Sequence, residues 1–339
     1  MIATRRTLLA TGAAAFALPA AAQTPAPAAP AAAAWTREKY LEAMRASNRP
    51  TDISVANFQA IQTRKVAALN RIEAYLRARF QAADPAVMRA FAEVPREYFH
   101  YMHEGRRNAA TDAYETEAKP WAVGYGSALS DYLGQAYMTQ VCAPKPEHVV
   151  LEIGTGSGFQ AALLSRIVAK QYSIEIIEPL GRGVAPIFAP LGFSNVETRV
   201  GDGFFGWPQV QGGFDVIIVT CAAQYVPPAL LQQLKPGGRL VIPIGQPFRR
   251  GQFLYIYTKD EDGRVRSRKD VGVYFIPMTG AMMNRPPPPG TPVAPAGEAV
   301  PPSPGHAPIP NRRPVAPAAT PPAATPPDIT TPAATTPAG

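Results

Sequence analysis

Apolar residues recur at spacings near 3.6 through "SVANFQAIQTRKVAALNRIEAYLRARFQA" (54–82), at Val55, Phe58, Ile61, Val66, Leu69, Ile72, Tyr75, Leu76 and Phe80. That period predicts a long amphipathic helix. Asp84-Pro85 opens a second, shorter helix through Ala92, with Asp84 as N-cap and the proline in the first turn, where its missing N–H loses no hydrogen bond. Val94-Pro95-Arg96 ends it.

After Val149 the period changes. Nearly continuous apolar runs appear at "HVVLEI" (148–153), "YSIEII" (172–177), "VETRV" (196–200), "FDVIIVT" (214–220) and "RLVIPI" (239–244), with helical patterns at Phe159–Val168 and Pro228–Leu234. Strands apolar on both faces, alternating with helices, predict a parallel sheet covered on both sides. "FLYIYTK" (253–259), "EDG" (261–263) and "VGVYFIP" (271–277) read as late strands, at least partly antiparallel. The expected fold class is α/β, a Rossmann-like domain with a mostly parallel sheet, late antiparallel strands and an N-terminal helical extension. Within "EPLGRGVAPIFAPLGF" (178–193), Pro186 and Pro190 predict a broken helix, since each would cost about 3 kcal/mol if forced into a helix interior.

Composition narrows the folded part of the 339 residues. From Pro286 to Gly339 proline takes about every third position and large apolar residues are nearly absent, so the segment cannot offset its ordering entropy by burial. Residues 23–34 are an Ala/Pro linker. "MIATRRTLLATGAAAFALPAAAQ" carries Arg5-Arg6, an apolar stretch from Leu8 to Leu18 and a small-residue site at Ala20-Ala21-Ala22. Thr4 to Leu9 resembles a twin-arginine export signal. The expected organisation is a signal at 1–22, the linker at 23–34, a helical extension with the acceptor loop at 35–147, a nucleotide-type domain at 148–283 and a proline-rich tail at 284–339. Export to the periplasm is expected, or a cytoplasmic protein if the signal is not used.

The net charge of +8 is dispersed, with no dense basic run beside exposed aromatics, so neither nucleic-acid binding nor a membrane span is expected. Arg249, Arg250, Arg264, Arg266, Arg268 and Lys269 cluster late and read as a solvated hairpin face. Cys142 and Cys221 flank strands at opposite ends of the expected sheet, so no disulfide is expected. His100 and His103 read as surface or core histidines, and no metal site is expected. A monomer is expected.

"VVLEIGTGSGFQAALLS" (149–165) carries the candidate chemistry. Glycines between a strand and a helix let backbone N–H groups approach a ligand. Glu175 lies 21 residues after Gly154, the usual distance for holding ribose hydroxyls. Gly154, Gly156 and Gly158 occupy positions one, three and five. A dinucleotide loop wants a glycine at six, where this chain has Phe159. Glu152, just before the loop, suits a cationic cofactor better than a pyrophosphate.

Together with "YSIEII", "VGDGFFGWP", "FDVIIVT", "LKPGGRLVIPIG", "VPREYF" (94–99) and "FIPMTG" (275–280), this loop closely resembles the protein-L-isoaspartate O-methyltransferases over about residues 84–280. The resemblance implies S-adenosyl-L-methionine (SAM) as cofactor and methyl transfer to the free carboxylate of isoaspartyl residues in damaged proteins or peptides. It implies a cofactor site of Glu152, Gly154, Thr155, Gly156, Gly158, Glu175, Asp202, Gly203 and Thr220, with Glu175 on the ribose, Asp202 and Gly203 beside the adenine, and Thr220 to Ala223 closing the pocket. Ser130 matches the family's active-site serine. The acceptor loop "GSALSDY" (126–132) makes Ser127, Ser130 and Asp131 the acceptor-side candidates, but it departs from the family pattern at Ala128, Asp131 and Tyr132. An acid within ~4 Å of a substrate carboxylate would repel it by about 1 kcal/mol or more. The altered loop leaves open another carboxylate or hydroxyl acceptor, and a non-catalytic binding protein of the same fold.

Overall fold

The computed structural model describes residues 35–249, 251–291 and 293. The export signal, the 23–34 linker, Arg250 and the tail beyond 293 lie outside the described residues.

Four helices lead the chain: α1 (Arg37–Ala46), α2 (Val55–Phe80), α3 (Pro85–Glu93) and the single turn α4 (Arg96–Phe99). Each of the first three is capped by its preceding side chain, Thr36, Ser54 and Asp84, which accepts a first-turn N–H. The long helix appears where its period predicts, but its buried stripe runs through Phe58, Ile61, Lys65, Ala68, Ile72 and Leu76. Val55 and Val66 stand 57% and 61% exposed. The turn that buries Ile61 and Ala68 carries the Lys65 stem inward and Val66 out to solvent. A buried carboxylate ties these helices together: Glu97 accepts from Trp35 Nε1 (2.9 Å), Gln62 Nε2 (2.7 Å) and Tyr114 Oη (2.8 Å).

Two short ribbons follow, β1 (Tyr101–Met102) with β2 (Arg107–Asn108), and β3 (Trp121–Gly124) with β4 (Ser127–Leu129). Helix α5 (Tyr132–Cys142) then leads into the main sheet. Its elements in chain order are β5 (Val149–Ile153), α6 (Phe159–Ser165), β6 (Lys170–Glu175), α7 (Glu178–Val184), β7 (Val196–Val200), β8 (Phe214–Val219), α8 (Pro228–Gln233), β9 (Leu234–Ile244), β10 (Gln252–Lys259), β11 (Val265–Val273) and α9 (Ala281–Asn284).

The seven strands are ordered β11-β10-β9-β8-β5-β6-β7. The five from β7 to β9 are parallel, and β10 runs antiparallel to both its neighbours. Alternate residues feed opposite faces: Val150, Val216 and Ile218 join the core shared with α2, α3, α5 and α6, while Leu151, Ile217 and Val219 pack with Phe214, Tyr225 and Leu230 on the other side. Strand order reverses at β5, which places a crevice at its carboxyl end.

Four boundaries differ most from expectation. Strand β9 begins at Leu234 rather than Arg239, its Leu234 pairing with Phe214 of β8. Strand β6 runs 170–175 rather than 172–177, because the Ile177 N–H is taken by the Glu175 carboxylate instead of a ladder partner. Strand β11 is 265–273 rather than 271–277; on the sheet edge its basic face needs no burial, so "VRSRKD" pairs with β10 through its backbone. Helix α6 stops at Ser165, short of Val168. Pro186 and Pro190 break the α7 segment as expected, into a seven-residue helix and two 3-10 turns. Cys142 and Cys221 are free thiols.

Candidate active site

The glycine loop leaves β5 at its carboxyl end. Gly154 has φ +101°, and a Cβ there would lie 2.5 Å from Thr220 Oγ1. That close approach is what holds the loop: the Thr220 hydroxyl lies within hydrogen-bond reach of both the Ile153 (2.9 Å) and Gly154 (2.7 Å) carbonyls. From the other side, the Gly154 N–H donates to the Ile174 carbonyl at 2.9 Å. Gly158, φ +85°, begins α6, and any Cβ would meet Phe188 and Val184 under 3 Å. It shapes the loop from behind.

Two carboxylates face the crevice. Glu175 is almost buried and accepts the N–H of Gly156 (2.8 Å) and of Ile177 (3.0 Å). Burial raises its pKa, partly countered by these donors. Glu152 is fully buried. Its Oε2 accepts from Ser173 Oγ at 2.6 Å, and Ser173 in turn shares a 2.7 Å contact with Thr155 Oγ1. Its Oε1 has no partner among the described residues. Burial pushes this carboxyl up to about 8, with the nearby Glu175 charge adding to the shift.

A buried carboxyl oxygen without a partner at the wall of a cleft is costly unless a ligand supplies one. A ligand carrying a cationic amino acid end and a ribose meets that demand, and the positive-φ glycines leave its approach free of side chains. The residues present therefore fit SAM.

The acceptor side is built by β4 and the turn into α5. A Cβ on Gly156 would lie 3.7 Å from Ser127 Oγ and 3.8 Å from the Ala128 carbonyl, so this loop roofs the glycine loop directly. Of the candidates, Glu152, Gly154, Thr155, Gly156, Glu175, Thr220, Ser127 and Ser130 line the cleft.

Asp131, Gly158, Asp202 and Gly203 are not among the lining residues. Asp131 is the N-cap of α5 and accepts the Gly134 N–H at 2.7 Å, so its carboxylate is turned to the helix rather than the acceptor space. Asp202 accepts from Phe204 N–H (2.9 Å) and Ala281 N–H (2.7 Å), and Gly203 packs on the Ile153 side chain. Asp202 thus ties the backbone at Phe204 to that at Ala281.

Sequence reading passed over part of the wall. Gln135 and Gln160 line it, as does the segment Phe275–Thr279, whereas Cys221 lines it within the expected 220–223 stretch. That segment continues past β11 because the buried Gln252 amide clamps Phe275, accepting its N–H (2.7 Å) and donating to its carbonyl (3.1 Å). Ala222 holds it too, donating to the Ile276 carbonyl and accepting the Met278 N–H, both 2.8 Å. "FIPMTG" marked the place without its role. His100 and His103 lie apart from the cleft, held neutral by burial, which lowers their pKa values to about 3 and about 4. Among the described residues no His/Cys/Asp/Glu group is placed to hold a metal, and no helix is long and apolar enough to cross a membrane.

The family model described as protein-L-isoaspartate(D-aspartate) O-methyltransferase matches residues 69–283. Protein-L-isoaspartate O-methyltransferase 2 of Syntrophobacter fumaroxidans is 46% identical over 199 residues, 59% of this chain and 77% of that protein. Protein-L-isoaspartate O-methyltransferase 1 of Cupriavidus necator is 40% identical over 238 residues, 70% of this chain and 88% of that one. A solved protein-L-isoaspartate O-methyltransferase aligns with TM-score 0.55 at 26% identity, covering 64% of this chain and 67% of its own. A Plasmodium falciparum chain solved with S-adenosyl-L-homocysteine aligns with TM-score 0.50 at 19% identity, covering 62% and 97%, and shares the fold.

Proposed function

The chain belongs to the protein-L-isoaspartate(D-aspartate) O-methyltransferase family, and from that premise we propose how its residues perform SAM-dependent methylation of the free carboxylate of isoaspartyl residues in damaged proteins. The observation that carries the reading is the unpaired Glu152 oxygen in a cleft between the glycine loop and the Ser127–Ser130 loop.

When bound, SAM supplies a methyl group on a sulfonium, already a good leaving group. Glu152, Gly154, Thr155 and Gly156 hold its amino acid end, and Glu175 its ribose. Thr220 keeps the loop in register. Asp202 serves the adenine end by fixing the backbone at Ala281, and Gly203 by its close packing on Ile153. Ser130 contacts the acceptor carboxylate, with Ser127 over the glycine loop. No residue needs to act as general base, because a carboxylate is ionised at neutral pH. The protein's task is to align the two reactants and exclude water. Asp131 caps α5 with its carboxylate on the Gly134 N–H, and Arg96 nearby feels and offsets its charge.

The test uses tritiated SAM and purified protein with an isoaspartyl peptide. Base-labile label on the peptide is the expected result; label that resists base would move the acceptor from a carboxylate to another group.

We further propose that the protein acts as a monomer after export through a twin-arginine route, on the sequence of Thr4 to Leu9 and the site at Ala20–Ala22. Cell fractionation of the natural chain and of an Arg5→Lys/Arg6→Lys variant checks the export. Periplasmic protein that is lost in the variant is expected; an unprocessed cytoplasmic chain in both would refute it. Light scattering at one subunit mass is the matching expectation for assembly.

A further inference from the structure

Arg96, in the one-turn helix α4, is 2% exposed and lies directly behind the acceptor loop. Its guanidinium reaches three neutral acceptors: Nε donates to the Ala113 carbonyl (2.9 Å), Nη1 to Gln135 Oε1 (2.5 Å) and Nη2 to the Ser130 carbonyl (2.8 Å). The Phe159 ring covers it, 5.1 Å from centroid to Cζ. Among the described residues no carboxylate forms a salt bridge with it. Asp131 is close enough for its charge to be felt, but that carboxylate accepts the Gly134 N–H. Burial lowers the Arg96 pKa only to about 10, so the group is a cation at neutral pH.

A buried cation without a salt bridge is expensive to keep. Here two of its three hydrogen bonds end on residues that line the cleft, Ser130 and Gln135. The fork fixes where the Ser130 backbone stands and turns the Gln135 oxygen inward, leaving the Gln135 amide N–H₂ as a free donor set. The positive charge stands one residue's backbone behind the surface that meets the acceptor, where low dielectric lets it act at that range.

We propose that Arg96 is the positioning residue of the acceptor site, setting Ser130 and Gln135 for an ionised carboxylate and disfavouring the neutral amide of the same side chain. The proposal rests on the isoaspartyl methyltransferase reading above and adds to it a source of selectivity for charge. Arg96 does not itself touch the reacting atoms.

The experiment measures kcat and KM for an isoaspartyl peptide, inhibition by the same peptide bearing the β-linked amide, and calorimetric binding of S-adenosyl-L-homocysteine. It compares the natural protein with Arg96→Met and Arg96→Lys. Losing hydrogen bonds to a charged donor predicts that Arg96→Met raises peptide KM by about tenfold or more. Its preference for carboxylate over amide should shrink by a similar factor, while S-adenosyl-L-homocysteine affinity stays unchanged. Arg96→Lys, keeping the charge without the fork, should fall between. Unchanged peptide KM and unchanged amide discrimination in either variant overturn the proposal, as does a parallel loss of cofactor and peptide binding, which marks a merely structural role. If Arg96→Met does not fold, Arg96→Lys and Gln135→Leu carry the same readouts. A natural protein that binds S-adenosyl-L-homocysteine but leaves the isoaspartyl peptide unmodified overturns the functional reading itself, a result distinct from an active enzyme indifferent to residue 96.

Discussion

Replacing Glu152 with glutamine keeps the shape of a fully buried side chain and removes its titration. Burial holds the native carboxyl protonated up to about pH 8 against an ordinary value of 4.5. Between those values the folded protein binds more protons than the unfolded chain, so stability falls as pH rises. A shift of that size is worth on the order of 4–5 kcal/mol across the whole window. His100 and His103 act in the opposite sense: their lowered pKa values make stability fall as pH drops below 6.5. The raised Glu175 adds to the alkaline limb. The cofactor-free protein should therefore be most stable near about pH 6, where the two limbs cross. From pH 6.5 to 8 the Glu152 contribution falls by about 2 kcal/mol, offset in part by about 1 kcal/mol still gained from His100 and His103 together. Urea unfolding of the cofactor-free natural protein and of Glu152→Gln at the two ends of that interval reads it directly. The natural protein should show a net loss on going to the higher pH, and the variant should lose less than half as much. Equal slopes in the two proteins would refute the assignment of the proton to Glu152.

Gly154→Ala places a Cβ against Thr220 Oγ1 at a φ of +101°. It should cost about 1–3 kcal/mol of stability and abolish measurable S-adenosyl-L-homocysteine binding; calorimetry showing natural affinity would contradict the close-packed loop. Asp131→Ala removes the α5 cap and should lower stability by ~1 kcal/mol, whereas Asp131→Asn, a good cap, should not. Because the carboxylate faces Gly134, the Asn variant should leave peptide KM nearly unchanged, and a several-fold fall would put the acid in the acceptor path. Gln252→Ala strips the Phe275 N–H and carbonyl of their partners. A loss of about 1–3 kcal/mol in denaturant unfolding is expected, together with weaker substrate binding through the loosened 275–279 wall.

Most of the central sheet was legible because β5 and β8 are buried strands whose apolar runs end within a residue of where the ladder ends. β11 was misplaced for the converse reason. An edge strand is held by backbone hydrogen bonds alone, so its charged side chains carry no apolar signal, and the apolar residues after Val273 belong to the cleft wall. Val66 and Lys65 exchanged their expected places because a period fixes a stripe only to within one residue. In the site, the glycine loop, Glu152 and Glu175 were readable from chemistry that short spacing imposes. Asp131 was readable too, as an Asp three residues before Gly134 at the start of a helical pattern, but the substrate loop drew attention to its charge. Arg96 and Gln252 were not. A buried polar residue is written with the same letter as a solvated one, and only the fold reveals that Arg96 meets Ser130 34 residues away.

The most direct measurement is a competition in one tube: the protein, SAM, and an equimolar pair of peptides differing only in an isoaspartyl or ordinary aspartyl linkage, followed by mass spectrometry. A methyl gained by the isoaspartyl peptide and not by its isomer is the predicted result. Equal methylation of both, or of neither while S-adenosyl-L-homocysteine still binds, would contradict isoaspartyl repair as the work of this cleft.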